Sequence, residues 1–138
     1  MSVFDDVSPL AVGAAFVVGQ IISTLWFTVI FGDQWALEYG VPNRHVHTKA
    51  VPASAYIIQA LCTVTMSFSL ALLHNWLAVK ETDEALKLGA FIAVGFVISN
   101  IVPGQMFLKR SRVAKLTAGC QSVMVIAMSA VINLVNKQ

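Results

Sequence analysis

Four long apolar stretches, separated by short polar segments, constrain the fold of this chain more than any other feature. About 20 apolar residues in a helix are enough to cross a hydrocarbon core of about 30 Å. Only 12% of the 138 residues are charged, whereas a soluble domain carries about 25%. The pattern excludes a soluble domain and predicts an integral membrane protein. The predicted transmembrane helices cover residues 9–31, 52–79, 84–108 and 112–135.

The predicted fold is all-α, a single domain over residues 1–138 built as a bundle of four transmembrane helices. Because the connections are short, we expect successive helices to pack as antiparallel neighbours. Ser8 followed by Pro9 is typical of the N-cap and first position of a helix. Thr82 is the predicted N-cap of the third helix. The polar stretch from Gly32 to Lys49 is predicted to be the longest loop.

Positively charged residues are unevenly divided between the two predicted membrane sides. Six lie on the side of the first and third loops: Arg44, Lys49, Lys109, Arg110, Arg112 and Lys115. Three lie on the other side: Lys80, Lys87 and Lys137. The positive-inside rule therefore predicts that the first and third loops face the cytoplasm or its organellar equivalent, without identifying the membrane.

A basic cluster at the start of the fourth helix is a candidate for contact with lipid headgroups. It consists of Lys109, Arg110, Arg112 and Lys115. The positive-inside rule alone would also place these residues here, and both explanations can hold together. The net charge of +2 and the lack of a basic run with interleaved aromatic residues argue against a nucleic-acid partner.

Small residues mark the faces on which transmembrane helices approach closely. The small-residue stripe of the first helix recurs at every fourth position and consists of Ala11, Ala15, Gly19 and Ser23. A shorter stripe on the third helix consists of Ala85, Gly89 and Ala93. We expect these stripes to face either the interior of the bundle or a neighbouring subunit.

Polar residues at depth are amides and hydroxyls, because no Asp, Glu, Lys or Arg falls near the middle of a predicted span. This argues against a proton-coupled carrier or a pathway for charged ions. Four amides could line a path for a solute or form hydrogen bonds between helices: Gln20, Gln59, Asn100 and Gln121. Pro103 is predicted to kink the third helix, either as a hinge or as a fixed bend.

Candidate catalytic and metal-binding residues are few. The spacing of His45, His47 and His74 matches no metal motif, and we expect these side chains to be solvated at loops and helix ends. Cys62 and Cys120 fall within predicted spans and are expected to be packed, reduced thiols. We therefore expect no catalytic and no metal site, and the sequence leaves any cofactor open.

A ten-residue run at the end of the first helix resembles the signature of a membrane family known as domain of unknown function 1761. The run reads Trp26, Phe27, Thr28, Val29, Ile30, Phe31, Gly32, Asp33, Gln34, Trp35. The resemblance implies that Trp26 and Trp35 anchor the chain near the membrane interface. Gly32 would end the helix in a left-handed turn.

The likeness extends over most of the chain. The family is similar in length, in its four spans, in an Asn late in the third span (here Asn100) and in a small-residue entry to the fourth (here Ala118 and Gly119). It commonly has Gly-Pro where this chain has Thr28 and Val29, and an aromatic residue followed by His where this chain has Cys120 and Gln121. The resemblance implies the four-span fold and implies no activity.

The leading functional hypothesis is a non-enzymatic, helix-packing accessory subunit of a larger membrane assembly. Its contact surface would combine the small-residue stripe with Trp26, Phe31, Gly32 and Trp35. The alternative is a small oligomeric channel or transporter for a neutral or weakly polar solute, lined by the four amides. The expected partners are membrane lipid and either other membrane subunits or further copies of the chain.

Overall fold

The chain folds into long apolar helices, as a computed structural model shows for residues 4–138. The elements are α1 (Pro9–Leu25), a π-helical segment (Trp26–Ile30), α2 (Gly32–Glu38), α3 (Arg44–Ala50), α4 (Ala53–Trp76), α5 (Thr82–Ile92), a second π-helical segment (Ala93–Ile98), α6 (Ser99–Phe107) and α7 (Ser111–Asn136). Four continuous helices are long and apolar enough to cross a membrane: Pro9–Ile30, Ala53–Trp76, Thr82–Phe107 and Ser111–Asn136. These helices confirm the predicted fold class and support a multi-pass integral membrane protein. Which loops face the cytoplasm stays a prediction.

The helix ends follow local hydrogen bonding. The Ser8 hydroxyl accepts the Ala11 N–H at 3.2 Å, which confirms Ser8 as an N-cap. The N-cap prediction for Thr82 is wrong, because Glu81 holds that position and the Glu84 carboxylate accepts the Lys80 N–H at 3.0 Å. The second span ends before residue 79, since Ala78 adopts a left-handed φ of 51°.

The connection between the first two spans is more ordered than a loop. It contains α2 and α3, and the Asn43 side chain caps α3 by accepting the Val46 N–H at 3.0 Å. The predicted left-handed turn at Gly32 is wrong, because Gly32 opens α2 and the left-handed glycine is Gly40, with a φ of 73°.

Helix α7 is the centre of the bundle. It packs against α1, α4, α5 and α6, while α4 also packs against α1. The expectation that successive spans are neighbours is wrong for α4 and α5, which do not pack along their lengths within the described chain. Each of them instead buries small side chains, such as Ala71 and Ala85, towards other helices.

The small-residue stripe of α1 packs inside the chain. Ala11 and Ala15 are fully buried. A Cβ added at Gly19 would lie 2.9 Å from Met128 Sδ and 3.1 Å from Thr63 Cγ2. Because α4 and α7 already cover this face, the alternative that it contacts a neighbouring subunit has to be corrected. Ser23, the last residue of the stripe, is half-buried.

Candidate functional site

The segment that carries the family resemblance forms a bend at the end of the first span. The π-helical segment ends at Ile30, and the next residue, Phe31, has a φ of −119° and turns the chain into α2. The rings of Trp26 and Phe31 have centroids 4.9 Å apart. A Cβ added at Gly119 would lie 3.1 Å from Trp26 Cζ2. Trp26 is therefore a half-buried contact between the first span and α7, rather than an outward-facing anchor.

Arg44 ties α3 to the end of the first span. Its Nη1 donates to the Thr28 carbonyl at 3.1 Å, and its backbone N–H donates to Asp33 Oδ1 at 3.1 Å. A cation at the carboxyl end of a helix also interacts favourably with the helix dipole. A Cβ added at Gly32 would lie 3.1 Å from Arg44 Cδ. Gly32 therefore leaves room for the Arg44 side chain, a role that the sequence analysis missed.

A ladder of aromatic rings holds the rest of this connection. Phe27, Trp35, Tyr39 and His47 follow one another with centroid distances of 4.5, 5.1 and 5.0 Å. His47 is half-buried in this ladder and not fully solvated as expected, whereas His45 is exposed. The ladder accounts for Trp35, which fastens the connection to the first span.

We predict that Arg44→Leu loosens the connection while the four spans stay folded. The substitution removes a charged hydrogen bond worth about 1.5–3 kcal/mol. Hydrogen exchange of residues 32–50 should accelerate about tenfold or more, since each 1.4 kcal/mol is a factor of ten. Lys49→Leu is the matched control, because Lys49 is exposed in the same helix. Equal exchange in both variants would refute the role of Arg44.

Polar side chains in the middle of the bundle join α4 to α1. Gln59 Nε2 donates to Thr63 Oγ1 at 3.1 Å and lies 3.5 Å from Ser23 Oγ. The Ser67 hydroxyl donates to the Val12 carbonyl at 2.8 Å. Such bonds are the usual means of holding transmembrane helices together. Of the four candidate amides, Gln59 thus takes part in contacts between helices.

The other three amides are placed differently. Gln20 is half-buried, and its Oε1 has no partner within residues 4–138. Gln121 is also half-buried. Asn100 lies on the exposed surface of the third span. The structure therefore does not bring all four amides onto one interior face.

A second polar cluster lies at the carboxyl end of α4 and centres on His74. Only 2% of His74 is exposed, and its Nε2 is 2.8 Å from Ser129 Oγ, whose hydroxyl donates to the Ala85 carbonyl at 2.8 Å. Because that hydroxyl has one proton, Ser129 accepts from His74, and Nε2 carries the imidazole proton. His74 Nδ1 is buried without a partner in the described chain. The expectation of a solvated His74 is wrong.

The same cluster continues along α7. Asn133 Nδ2 donates to Thr82 Oγ1 at 3.1 Å, and Lys137 Nζ donates to the same oxygen at 3.2 Å. Ser129 and Asn133 lie four residues apart on one face of α7, a spacing that could have pointed to the cluster. These bonds fasten the start of α5 to the end of α7.

A comparison with protein families identifies the chain. The family described as "Protein of unknown function (DUF1761)" matches residues 10–134. The chain belongs to this family. Comparisons with curated proteins and with solved structures gave no match. The predicted resemblance is confirmed. In this DUF1761 chain, residues 26–35 form the bend that joins the first span to α2.

The third span of this DUF1761 chain presents polar and small residues on its exposed face. Asn100 is exposed, and none of the hydrogen bonds found within residues 4–138 involves its side chain. A Cβ added at Gly95 or Gly104 would meet no described atom within 4 Å. Ser99, by contrast, donates its hydroxyl to the Val94 carbonyl at 2.8 Å. Pro103 lies inside α6, the helix that follows the π-helical segment Ala93–Ile98.

The remaining candidates in this DUF1761 chain are spread over its surface and core. Arg112 and Lys115 line a groove beside α2, whereas Lys109 and Arg110 are exposed in the turn before α7. Cys120 is buried, but Cys62 is exposed on α4, so the expectation of packing is wrong for Cys62. Within the described part of the chain, no three His, Cys, Asp or Glu side chains are grouped to hold a metal ion.

Proposed function

We propose that this protein is a non-enzymatic accessory subunit that packs the exposed face of its third span against another integral membrane subunit. The observation that carries the proposal is the side chain of Asn100, which is exposed and takes part in none of the hydrogen bonds found within residues 4–138. The resemblance to the family also points to an Asn at this place in the third span. The small-residue stripe of α1 is covered within the chain, so the proposed contact surface is on the third span instead.

The position of Asn100 makes exposure to lipid costly. It lies seven residues before the end of the span Thr82–Phe107, about 10 Å from that end at about 1.5 Å per residue. A polar group in hydrocarbon without a hydrogen bond costs several kcal/mol, so amides at this depth usually face protein. A polar partner from a neighbouring subunit would remove that cost.

The residues around Asn100 suit close approach of another helix. Gly95 and Gly104 are exposed on either side of it along the span. The π-helical segment Ala93–Ile98 has five-residue hydrogen-bond spacing, which brings Gly95 towards the face that carries Asn100 and Gly104. Small residues next to an amide are typical of helix-packing faces in membranes. We call this surface the Asn100 face (Gly95, Asn100 and Gly104).

The alternative of a channel or transporter has less support. A shared path would need the four amides on one lining, yet Asn100 is exposed on the third span while Gln59 lies at the α1–α4 contact. Met124, Met128 and Ile132 are fully buried along α7 and fill space in the bundle. Since the polar side chains at α1–α4 bind one another or the backbone, they serve helix packing better than catalysis.

The test measures the mass and composition of the particle that carries the protein. Native membranes are extracted in a mild detergent, first with the wild-type chain and then with Asn100→Leu in its place. We expect a stoichiometric complex much larger than the 14.9 kDa chain. The Asn100→Leu variant should leave that complex, because leucine cannot satisfy a polar partner group.

The matched control is Thr65→Leu on α4. Thr65 is also exposed, but its hydroxyl donates to the Leu61 carbonyl of its own helix at 2.9 Å. The Thr65→Leu variant should remain in the complex. A wild-type chain that runs as a monomer or as a discrete homo-oligomer would overturn the accessory-subunit proposal. Retention of Asn100→Leu in the complex would overturn the assignment of the surface.

A further inference from the structure

A groove of about 380 Å³ lies between α2 and the start of α7. Each helix lines it with three residues spaced i, i+3 and i+4, which places them on one helical face. The lining residues are Gln34, Leu37, Glu38, Arg112, Lys115 and Leu116. The volume falls within the range of about 300–1,000 Å³ that is common for sites of small ligands.

The groove combines two cations with one carboxylate. Arg112 and Lys115 are exposed, and Glu38 is half-buried. Within residues 4–138, neither cation lies within ion-pair distance of Glu38, and no hydrogen bond is found to the Glu38 carboxylate. The charged groups of the groove are therefore free to bind a ligand that carries both signs of charge.

The groove also lies at one end of the candidate spans, where the lipid headgroups of a surrounding bilayer are expected. Helix α2 follows directly on the bend after the first span, and Arg112 is the second residue of the fourth span. Leu37 and Leu116 provide apolar surface beside the charges. Cationic residues at this depth meet lipid phosphates, whereas apolar residues meet the glycerol and upper acyl region.

We propose that this groove binds a zwitterionic phospholipid whose headgroup ends in a primary ammonium, such as phosphatidylethanolamine. Arg112 and Lys115 bind the phosphate, and Glu38 accepts hydrogen bonds from the ammonium. The carboxylate distinguishes this site from a general attraction to anionic lipid, which a purely basic cluster would give. A quaternary ammonium, as in phosphatidylcholine, cannot donate to Glu38.

The test compares phosphatidylethanolamine, phosphatidylcholine and phosphatidylglycerol with identical acyl chains. Each is added to the purified full chain in detergent, and native mass spectrometry measures retention of the lipid. The wild-type chain should bind phosphatidylethanolamine about tenfold more tightly than the other two, the effect of one charge-assisted hydrogen bond. Glu38→Gln should abolish this preference, and Arg112→Gln with Lys115→Gln should weaken binding of all three.

Two control variants each remove one charge, a cation or a carboxylate, at a residue outside the groove. Lys49→Gln alters an exposed cation of α3, and Asp6→Asn alters an exposed carboxylate ahead of α1. Both should bind lipid as the wild type does. Preference for phosphatidylglycerol in the wild type would overturn the proposal in favour of a general anionic surface. Equal binding of the three lipids, or a preference that survives Glu38→Gln, would overturn it as well.

Discussion

Gly89→Leu should detach the third span from α7 and destabilise the protein by about 3 kcal/mol, the upper part of the range for overpacking. A Cβ at Gly89 would lie 2.8 Å from the Cα of Ile126 and 3.4 Å from its backbone nitrogen. Backbone atoms cannot rotate away as a flexible side chain can, so the two helices must separate. The effect should be large because α7 is the main packing partner of the third span.

The measurement is the midpoint of unfolding of the purified chain in an SDS titration, followed by tryptophan fluorescence. Ala90→Leu is the matched control, since Ala90 is the next residue of α5 and is exposed. Both variants add a leucine at nearly the same depth. A Gly89→Leu midpoint equal to that of Ala90→Leu would show that α5 and α7 do not approach as closely as described.

Ser129→Ala should cost about 1–3 kcal/mol, because it leaves the buried His74 without its hydrogen-bond partner. The Ser129 hydroxyl both accepts from His74 and donates to the Ala85 carbonyl, so one oxygen joins α4, α7 and α5. When both side chains are replaced by apolar ones, no buried His74 donor is left without a partner. The double variant His74→Leu with Ser129→Ala should therefore lose less stability than the sum of the losses in the two single variants.

A double-mutant cycle on the same unfolding midpoint checks this prediction. Ser69→Ala is the control, because Ser69 is exposed on α4 and lies outside the cluster. It should change the midpoint little. Strict additivity of His74→Leu and Ser129→Ala would mean that the two side chains are not coupled.

The features that could be predicted from the sequence are those set by local pattern. Apolar runs of sufficient length predicted the four spans, and spacing of four residues predicted that Ala11 and Ala15 form a packing stripe. Both follow from the geometry of one helix in lipid. The Ser8 N-cap was predictable for the same reason, since its hydrogen bond reaches only three residues along the chain.

The features that could not be predicted depend on contacts between distant residues. His74 is followed by Asn75 and Trp76, a composition typical of the membrane interface, and its burial depends on Ser129, 55 residues away. Gly32 was expected to be left-handed because of its place at a helix end. Its actual role depends on Arg44, whose side chain covers it.

The choice of contact surface could not be predicted either. The sequence pattern marks small residues on α1 and on the third span alike, and does not tell an internal face from an external one. Burial shows that both stripes, including Ala15 and Ala85, are covered within the chain, whereas Asn100 is exposed on the third span. In the groove between α2 and α7, the proposed phosphate-binding residues Arg112 and Lys115 could be predicted, because both belong to the basic cluster. The sequence analysis did not single out Glu38.

The central place of α7 has a consequence for how the protein is made. Chains enter the membrane from the amino end, so the first three spans are inserted before the helix that holds them together. Until α7 arrives, α5 lacks its main neighbour, and the buried face of Ala85 and Gly89 is open to lipid or to other proteins of the membrane. We therefore expect biogenesis to pass through a three-span intermediate, in which the packing surface for α7 is still uncovered.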